Sequence, residues 1–179
     1  MSVFAIKFLV DDYRILVPVN SEDFDGGNLW INGAMKLSSW NPPKMRWSDP
    51  EDNISIPDIA YISPGFYAFN EKSIEVLGEL LAQYGELLEL PVDGELWMAF
   101  NPTTERDCLD HNKTEWKIRR NGERGRLIKP VMVESAYANS AIFQVPETIK
   151  STFYVTDEFM QLVVTNQLKG LEFIKLETS

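Results

Sequence analysis

The single histidine and the single cysteine of the sequence fall in one short stretch, Asp107-Cys108-Leu109-Asp110-His111. Four of these five side chains can ligate a metal. Metal ligands usually come from separate elements or stand at i, i+3 or i+4 on a helix. Asp107 and His111 have i, i+4 spacing, but Pro102 and the polar neighbours do not read as a helix. The expected roles are therefore structural. Cys108 packs as a small buried side chain, and Asp107 and Asp110 cap or close Asx-turns. A Cys108–His111 pair is the one nucleophile–base combination on offer, and no Gly-x-Ser-x-Gly elbow accompanies it. There is no Walker loop and no Gly-x-Gly-x-x-Gly after a strand. With 27 acidic residues some carboxylates always lie close together, so their number alone does not indicate glycosidase-type acid–base work. The sequence assigns no catalytic residue, no cofactor and no metal ligand, and the expectation is a protein that is not an enzyme.

Charge is more informative. Residues 1–100 hold 16 acids and 6 bases, and residues 101–179 hold 11 of each, so the whole net charge of −10 lies in the first part. Such a field repels nucleic acid and anionic membrane, and it attracts basic partners over about a Debye length. One basic cluster runs against this trend: Lys113, Lys117, Arg119, Arg120, Arg124, Arg126 and Lys129 surround Trp116. Alternation puts Lys117 and Arg119 on the face opposite Trp116, Ile118 and Arg120. A solvated hairpin face is favoured there over nucleic-acid binding.

These side chains are positioned by short elements. Val3 to Val10 and Arg14 to Val19 read as a hairpin or two strands around Asp11-Asp12. Residues 20–57 are rich in turn formers, with Gly26-Gly27, Pro42-Pro43, Pro50 and Pro57. They also carry Trp30, Trp40 and Trp47. Each indole either pins a long loop to the core or stands out as an anchor for a partner. Ile59 to Ile62 and Phe66 to Phe69 flank the turn Ser63-Pro64-Gly65. Asn70 is a plausible N-cap, and Ile74, Leu77, Leu81 and Tyr84 form one helical face ending at Gly85. Leu87 to Leu90 and Leu96 to Phe100 flank the Asp93-Gly94 turn. Trp116 to Arg120 and Arg126 to Val133 flank Asn121-Gly122. Phe153 to Val155, a cap at Thr156, the apolar face Phe159, Leu162 and Val163, a stop at Gly170 and a strand from Leu171 to Leu176 repeat the earlier grammar. The predicted class is α+β: a mixed, mainly antiparallel sheet with two principal helices in repeated strand–helix–strand units. One domain over 1–179 is expected, with an acidic half at 1–94 and a second half at 95–179. No apolar run approaches the roughly 20 residues of a membrane helix. Lys7 interrupts the first apolar stretch, which reads as a strand and not a signal peptide. With one cysteine a disulfide framework is excluded, and a cytoplasmic location is expected.

Several stretches resemble a large family of bacterial immunity proteins encoded beside polymorphic toxins. They are Ile142 to Pro146, Phe153 to Phe159 and Leu168 to Phe173 at the C-terminal end, Leu96 to Phe100 with Asp107 to Asp110 in the middle, and Phe66 to Pro91 with Trp40 to Trp47 before them. The likeness runs over about residues 25–176; the basic segment 113–129 departs from it. The resemblance implies inhibition by binding and offers no catalytic residue. A cytoplasmic inhibitor of a basic toxin domain gains from an acidic surface that speeds encounter. The candidate contact residues are Asp11, Asp12, Glu22, Asp23, Asp25, Asp49, Glu51 and Asp52, with Trp30, Trp40 or Trp47 as anchors. The expected partner is a basic cognate toxin, with neither nucleic acid nor membrane. The alternatives are an adaptor or scaffold for a secreted effector and a hydrolase using acidic residues.

Overall fold

The first strand, β1 (Val3–Phe8), carries apolar side chains on both faces, and both are covered. Phe4, Ile6 and Phe8 enter one core cluster, while Val3 and Ala5 meet another. In the computed structural model, which describes residues 1–25, 29–30, 32–48, 54–148 and 151–179 (the side chains of residues 24 and 25 excepted), the chain continues through β2 (Leu16–Pro18), α1 (Glu22–Asp25), a 3-10 turn (Leu37–Ser39), β3 (Met45–Trp47), β4 (Ile59–Ser63), β5 (Phe66–Phe69) and α2 (Glu71–Tyr84). β6 (Gly85–Val92), β7 (Glu95–Pro102), β8 (Glu115–Ile118), β9 (Arg124–Lys129), β10 (Val131–Met132) and α3 (Glu134–Tyr137) follow. The last elements are β11 (Ile142–Phe143), a 3-10 turn (Pro146–Thr148), β12 (Tyr154–Thr156), α4 (Asp157–Thr165), β13 (Leu171–Lys175) and β14 (Glu177–Thr178).

Two larger sheets organise these elements, in the orders β2-β3-β6-β7-β5-β4 and β11-β12-β1-β13. Among the named strands, pairing is antiparallel except for β3 with β6 and the small pair β10 with β14. The fold is thus α+β and dominated by antiparallel strands. β7 lies between β5 and β6, the two strands that flank α2. β1 lies between β12 and β13, the two that flank α4. Asp11-Asp12 therefore joins strands of different sheets, so of the two readings of this stretch, a hairpin or two strands, the structure has the second. Turn chemistry fixes a reversal of the chain but not which strand the next one pairs with.

α2 and α4 pack together and share one core with both sheets: Leu77, Leu81, Phe159 and Val163 from the helices meet Phe4, Ile59, Phe69 and Phe153. Edge-to-face rings run through it from Phe69 to Phe100 at 6.3 Å, Phe100 to Phe153 at 5.6 Å and Phe153 to Tyr67 at 5.9 Å between centroids. Such pairs add roughly 0.5–1.5 kcal/mol each beyond their buried area. The opposite face of the six-stranded sheet buries Leu88, Leu90, Trp97, Ala99 and Phe66 under the segment that contains Trp40 and Trp47. A third cluster, with Cys108, Met132, Tyr137, Phe143 and Tyr154, backs the other side of β1.

α2 starts as expected, with the Asn70 side chain accepting the Ser73 N–H at 2.9 Å. It ends differently. Gly85 has extended backbone and opens β6 directly; a Cβ there would lie 2.3 Å from the Asn101 carbonyl oxygen, so close packing, not a left-handed cap, excludes a side chain. Asp93 and Gly94 both take positive φ, 47° and 90°, as a tight hairpin between β6 and β7 requires. α4 ends at Thr165, short of Gly170, and the Thr156 side chain makes no cap hydrogen bond. Instead, the Asp157 carboxylate accepts the Ser2 N–H at 2.6 Å. Gly170, with φ 122°, turns the chain into β13.

The two sheets are locked together at this turn. The Lys169 carbonyl accepts the N–H groups of Asp58 at 3.0 Å and Ile59 at 2.9 Å, and the Lys169 N–H donates to the Asp58 carboxylate at 2.8 Å. That carboxylate also accepts from the Asn70 amide and the Lys72 ammonium, each at 3.1 Å. Burial pushes the Asp58 pKa up, but the Lys169 N–H, the Asn70 amide and the Lys72 ammonium together outweigh it and hold the carboxyl below its usual range.

Candidate functional site

The sheet face that carries Leu87 and Phe100 is covered by α2 over only part of its length. Along β7 that face runs from Phe100, fully buried, through Met98, half-buried, to Leu96, which is 59% exposed beyond the start of the helix. The uncovered part forms an open groove of about 750 Å³ lined by Phe69, Ile74, Leu96 and Met98, with Glu71 and Glu95 on its rim. Glu89, paired with Met98 across the ladder, is exposed on the same face. The other polar groups of the lining are already used: Asn70 caps α2 and Lys72 holds Asp58. What the groove leaves to a ligand is apolar surface beneath negative charge that no described residue pairs.

The segment opposite, on the far face of the sheet, is held by a buried polar pair. The Glu86 carboxylate accepts the backbone N–H groups of Lys36 at 2.7 Å and Leu37 at 3.0 Å, and the Asn101 amide at 2.8 Å. Asn101 also donates to the Ala34 carbonyl at 2.9 Å. Burial raises the Glu86 pKa, yet these donors and the Lys36 charge hold it below the ordinary carboxylate range. Trp40 packs edge-on against Phe66 and donates its indole N–H to the Glu89 carbonyl at 2.7 Å, and Trp47 meets Trp97 at 5.2 Å. Both are half-buried and pin the segment. Trp30 is 41% exposed. Asp11 and Asp12 stand exposed in the turn between β1 and β2, Glu22 is exposed and Asp23 half-buried in α1. The side chain of Asp25, and Asp49, Glu51 and Asp52 entirely, lie outside the described residues. Of the described candidates, Trp40 and Trp47 are brought together on the core of the far sheet face, and the groove acids Glu71 and Glu95 are not among the candidates. The signal for these was Leu96, an apolar residue on the strand parity of Met98 and Phe100 but next to Glu95.

The Asp107–His111 stretch takes the predicted turn roles in part. Asp110 accepts the N–H groups of Asn112 and Lys113 at 3.0 and 3.3 Å, and with the Ser179 hydrogen bond foremost its carboxyl is held below the usual range. Cys108 is buried with its thiol 3.7 Å from the Met132 sulfur. Burial first, then the charges of Asp107 and Glu147, push that thiol up to about 12, so it is protonated and inert as a nucleophile near neutral pH. His111 does not face it as a base; its Nε2 lies 3.4 Å from a Glu147 carboxylate oxygen.

The basic hairpin of β8 and β9 is largely exposed. Trp116 and Leu127 pair across it and rest on the third cluster, while Arg124 lies over the Trp116 ring at 5.6 Å. Its loop spans residues 119–123, with Gly122 at φ 82°. No helix among the described residues is long and apolar enough to cross a membrane. No family model and no curated protein matches the chain.

Proposed function

We propose that this protein is an immunity-type inhibitor that neutralises a cognate bacterial toxin by binding it directly and tightly over a basic active-site cleft. The groove beside α2 carries this reading. An apolar floor with Leu96 exposed, rimmed by Glu71 and Glu95, suits an apolar side chain flanked by lysine or arginine. The surrounding net charge of residues 1–100 adds long-range attraction, to which Asp11, Asp12, Glu22 and Asp23 contribute. Charge sets the association rate, and the buried anchor sets the dissociation rate.

A hydrolase using paired acids would need one carboxyl raised toward neutrality to act as general acid. Among the described residues, the three carboxyls with shifted pKa, Asp58, Glu86 and Asp110, are all lowered and hydrogen-bonded into the scaffold. That favours binding over turnover. We also infer that β5–α2–β6 and β12–α4–β13 are copies of one strand–helix–strand unit. The support is that each pair of helix-flanking strands encloses a single antiparallel strand.

Co-expression with the product of the neighbouring toxin gene tests the function. Growth is expected to be restored, and the two proteins are expected to co-purify. Co-purification without rescue would mean an adaptor, and the absence of both would refute the proposal.

A further inference from the structure

The imidazole of His111 belongs to a small constellation that local spacing does not reveal. One donor atom each from Asp107, His111 and Glu147 lies within 4.8 Å of the other two. The three come from separately anchored pieces of backbone. Asp107 is bracketed by Arg106, whose N–H donates to the Gln144 carbonyl at 2.8 Å, and by Cys108, whose carbonyl accepts the Val133 N–H at 2.8 Å. Leu109 bridges to Met132. His111 sits in the turn that Asp110 closes, and Glu147 in the 3-10 turn that follows fully buried Val145. The Asp107 carboxylate has no hydrogen bond or ion pair among the described residues. Two carboxylates therefore converge on one imidazole with no described cation among them.

We propose that Asp107, His111 and Glu147 form a binding site for a divalent transition-metal ion such as zinc. Ligand bonds of about 2.0–2.2 Å place neighbouring donors roughly 3.0–3.6 Å apart. The His111–Glu147 separation of 3.4 Å already falls in that span, and Asp107 closes the remainder by a side-chain rotation at an exposed position. One nitrogen and two oxygens suit a borderline ion; magnesium and calcium prefer all-oxygen shells. Three protein ligands at the surface leave the rest of the coordination shell to water. Cys108, turned into the core beside Met132, is not a ligand. The ion would tie the segment after β7 to the turn before β12. This inference is independent of the toxin-binding reading.

The test uses the full chain without a histidine tag, stripped with EDTA and titrated with zinc chloride. Because the sequence has one histidine, the imidazole ¹⁵N resonances report this position alone. Calorimetry is expected to give one zinc per chain, with the His111 resonances shifting in step. Loss of an outer-sphere partner alone typically weakens a metal site by 10–100-fold, so His111→Ala and Glu147→Gln are each expected to weaken binding by about tenfold or more, with unchanged circular dichroism. Zinc that leaves the His111 resonances unmoved, or binds His111→Ala as tightly as the wild type, would overturn the site. Magnesium shifting the same resonances at equal concentration would overturn the choice of ion.

Discussion

Replacing Gly170 by alanine tests the joint between the two sheets. A Cβ at this position would lie 2.1 Å from the Ile59 carbonyl oxygen and 3.1 Å from the Pro57 Cβ, and the backbone has φ 122°. The clash is with backbone, so it can be relieved only by moving β4 or the turn. That turn holds the bonds from Asp58 and Ile59 to the Lys169 carbonyl and from the Leu9 N–H to the Gly170 carbonyl at 3.1 Å. A side chain in a glycine-only backbone region costs about 1–3 kcal/mol, and forcing packed backbone apart costs about 1–3 kcal/mol more. Gly94→Ala is the internal control: its φ is 90°, but nothing lies within 4 Å of the added methyl. It should carry the conformational cost alone. Urea unfolding followed by tryptophan fluorescence measures both. A loss of about 4 kcal/mol moves the midpoint by roughly 2 M at an m-value of about 2 kcal/mol/M. Gly170→Ala should fall well below Gly94→Ala; equal midpoints for the two variants would refute the idea that this close approach locks the sheets.

Asp58 gives the fold a pH dependence. Its pKa is lowered in the folded protein from an unfolded value of about 3.9. The stability it contributes is therefore fully present above about pH 4 and is lost as pH falls through the lower folded value. Urea midpoints of wild type and Asp58→Asn should differ at pH 7 and converge on acidification below about pH 4; a constant gap would contradict this. Glu86→Ala should remove the carboxylate that accepts the part-buried Lys36 and Leu37 N–H groups, at a total of about 1–3 kcal/mol, and hydrogen exchange at those two amides should accelerate selectively. In binding to the proposed toxin, Glu71→Lys with Glu95→Lys should slow association and flatten its salt dependence, as stopped-flow measurements would register. Unchanged rates at low salt would remove the groove from the interface.

Features set by neighbours in sequence could be read in advance. The Asn70 cap, the Leu77–Leu81 face and the Asp93-Gly94 turn each depend on residues within one turn of chain. The pairing of distant strands could not. Nothing local tells β1 to enter between β12 and β13, because Val3 to Phe8 would suit any strand covered on both faces. Gly85 and Gly170 both looked like helix stops, yet each is required by a carbonyl from another strand, Asn101 in one case and Ile59 in the other. The groove is not legible in the sequence for the same reason. Phe69, Ile74 and Leu96 meet only because β5 pairs with β7 and α2 leaves Leu96 uncovered. Glu147 likewise joins His111 from across the chain, whereas the turn role of Asp110 lay within three residues of its partners.

Titrating the activity of the purified toxin with this protein tests the central claim most directly. Activity is expected to fall linearly to an endpoint at a fixed whole-number ratio of the two chains, with no change in the toxin's covalent structure. Complete inhibition at amounts far below equivalence, or a toxin left chemically altered, would show turnover and contradict the account.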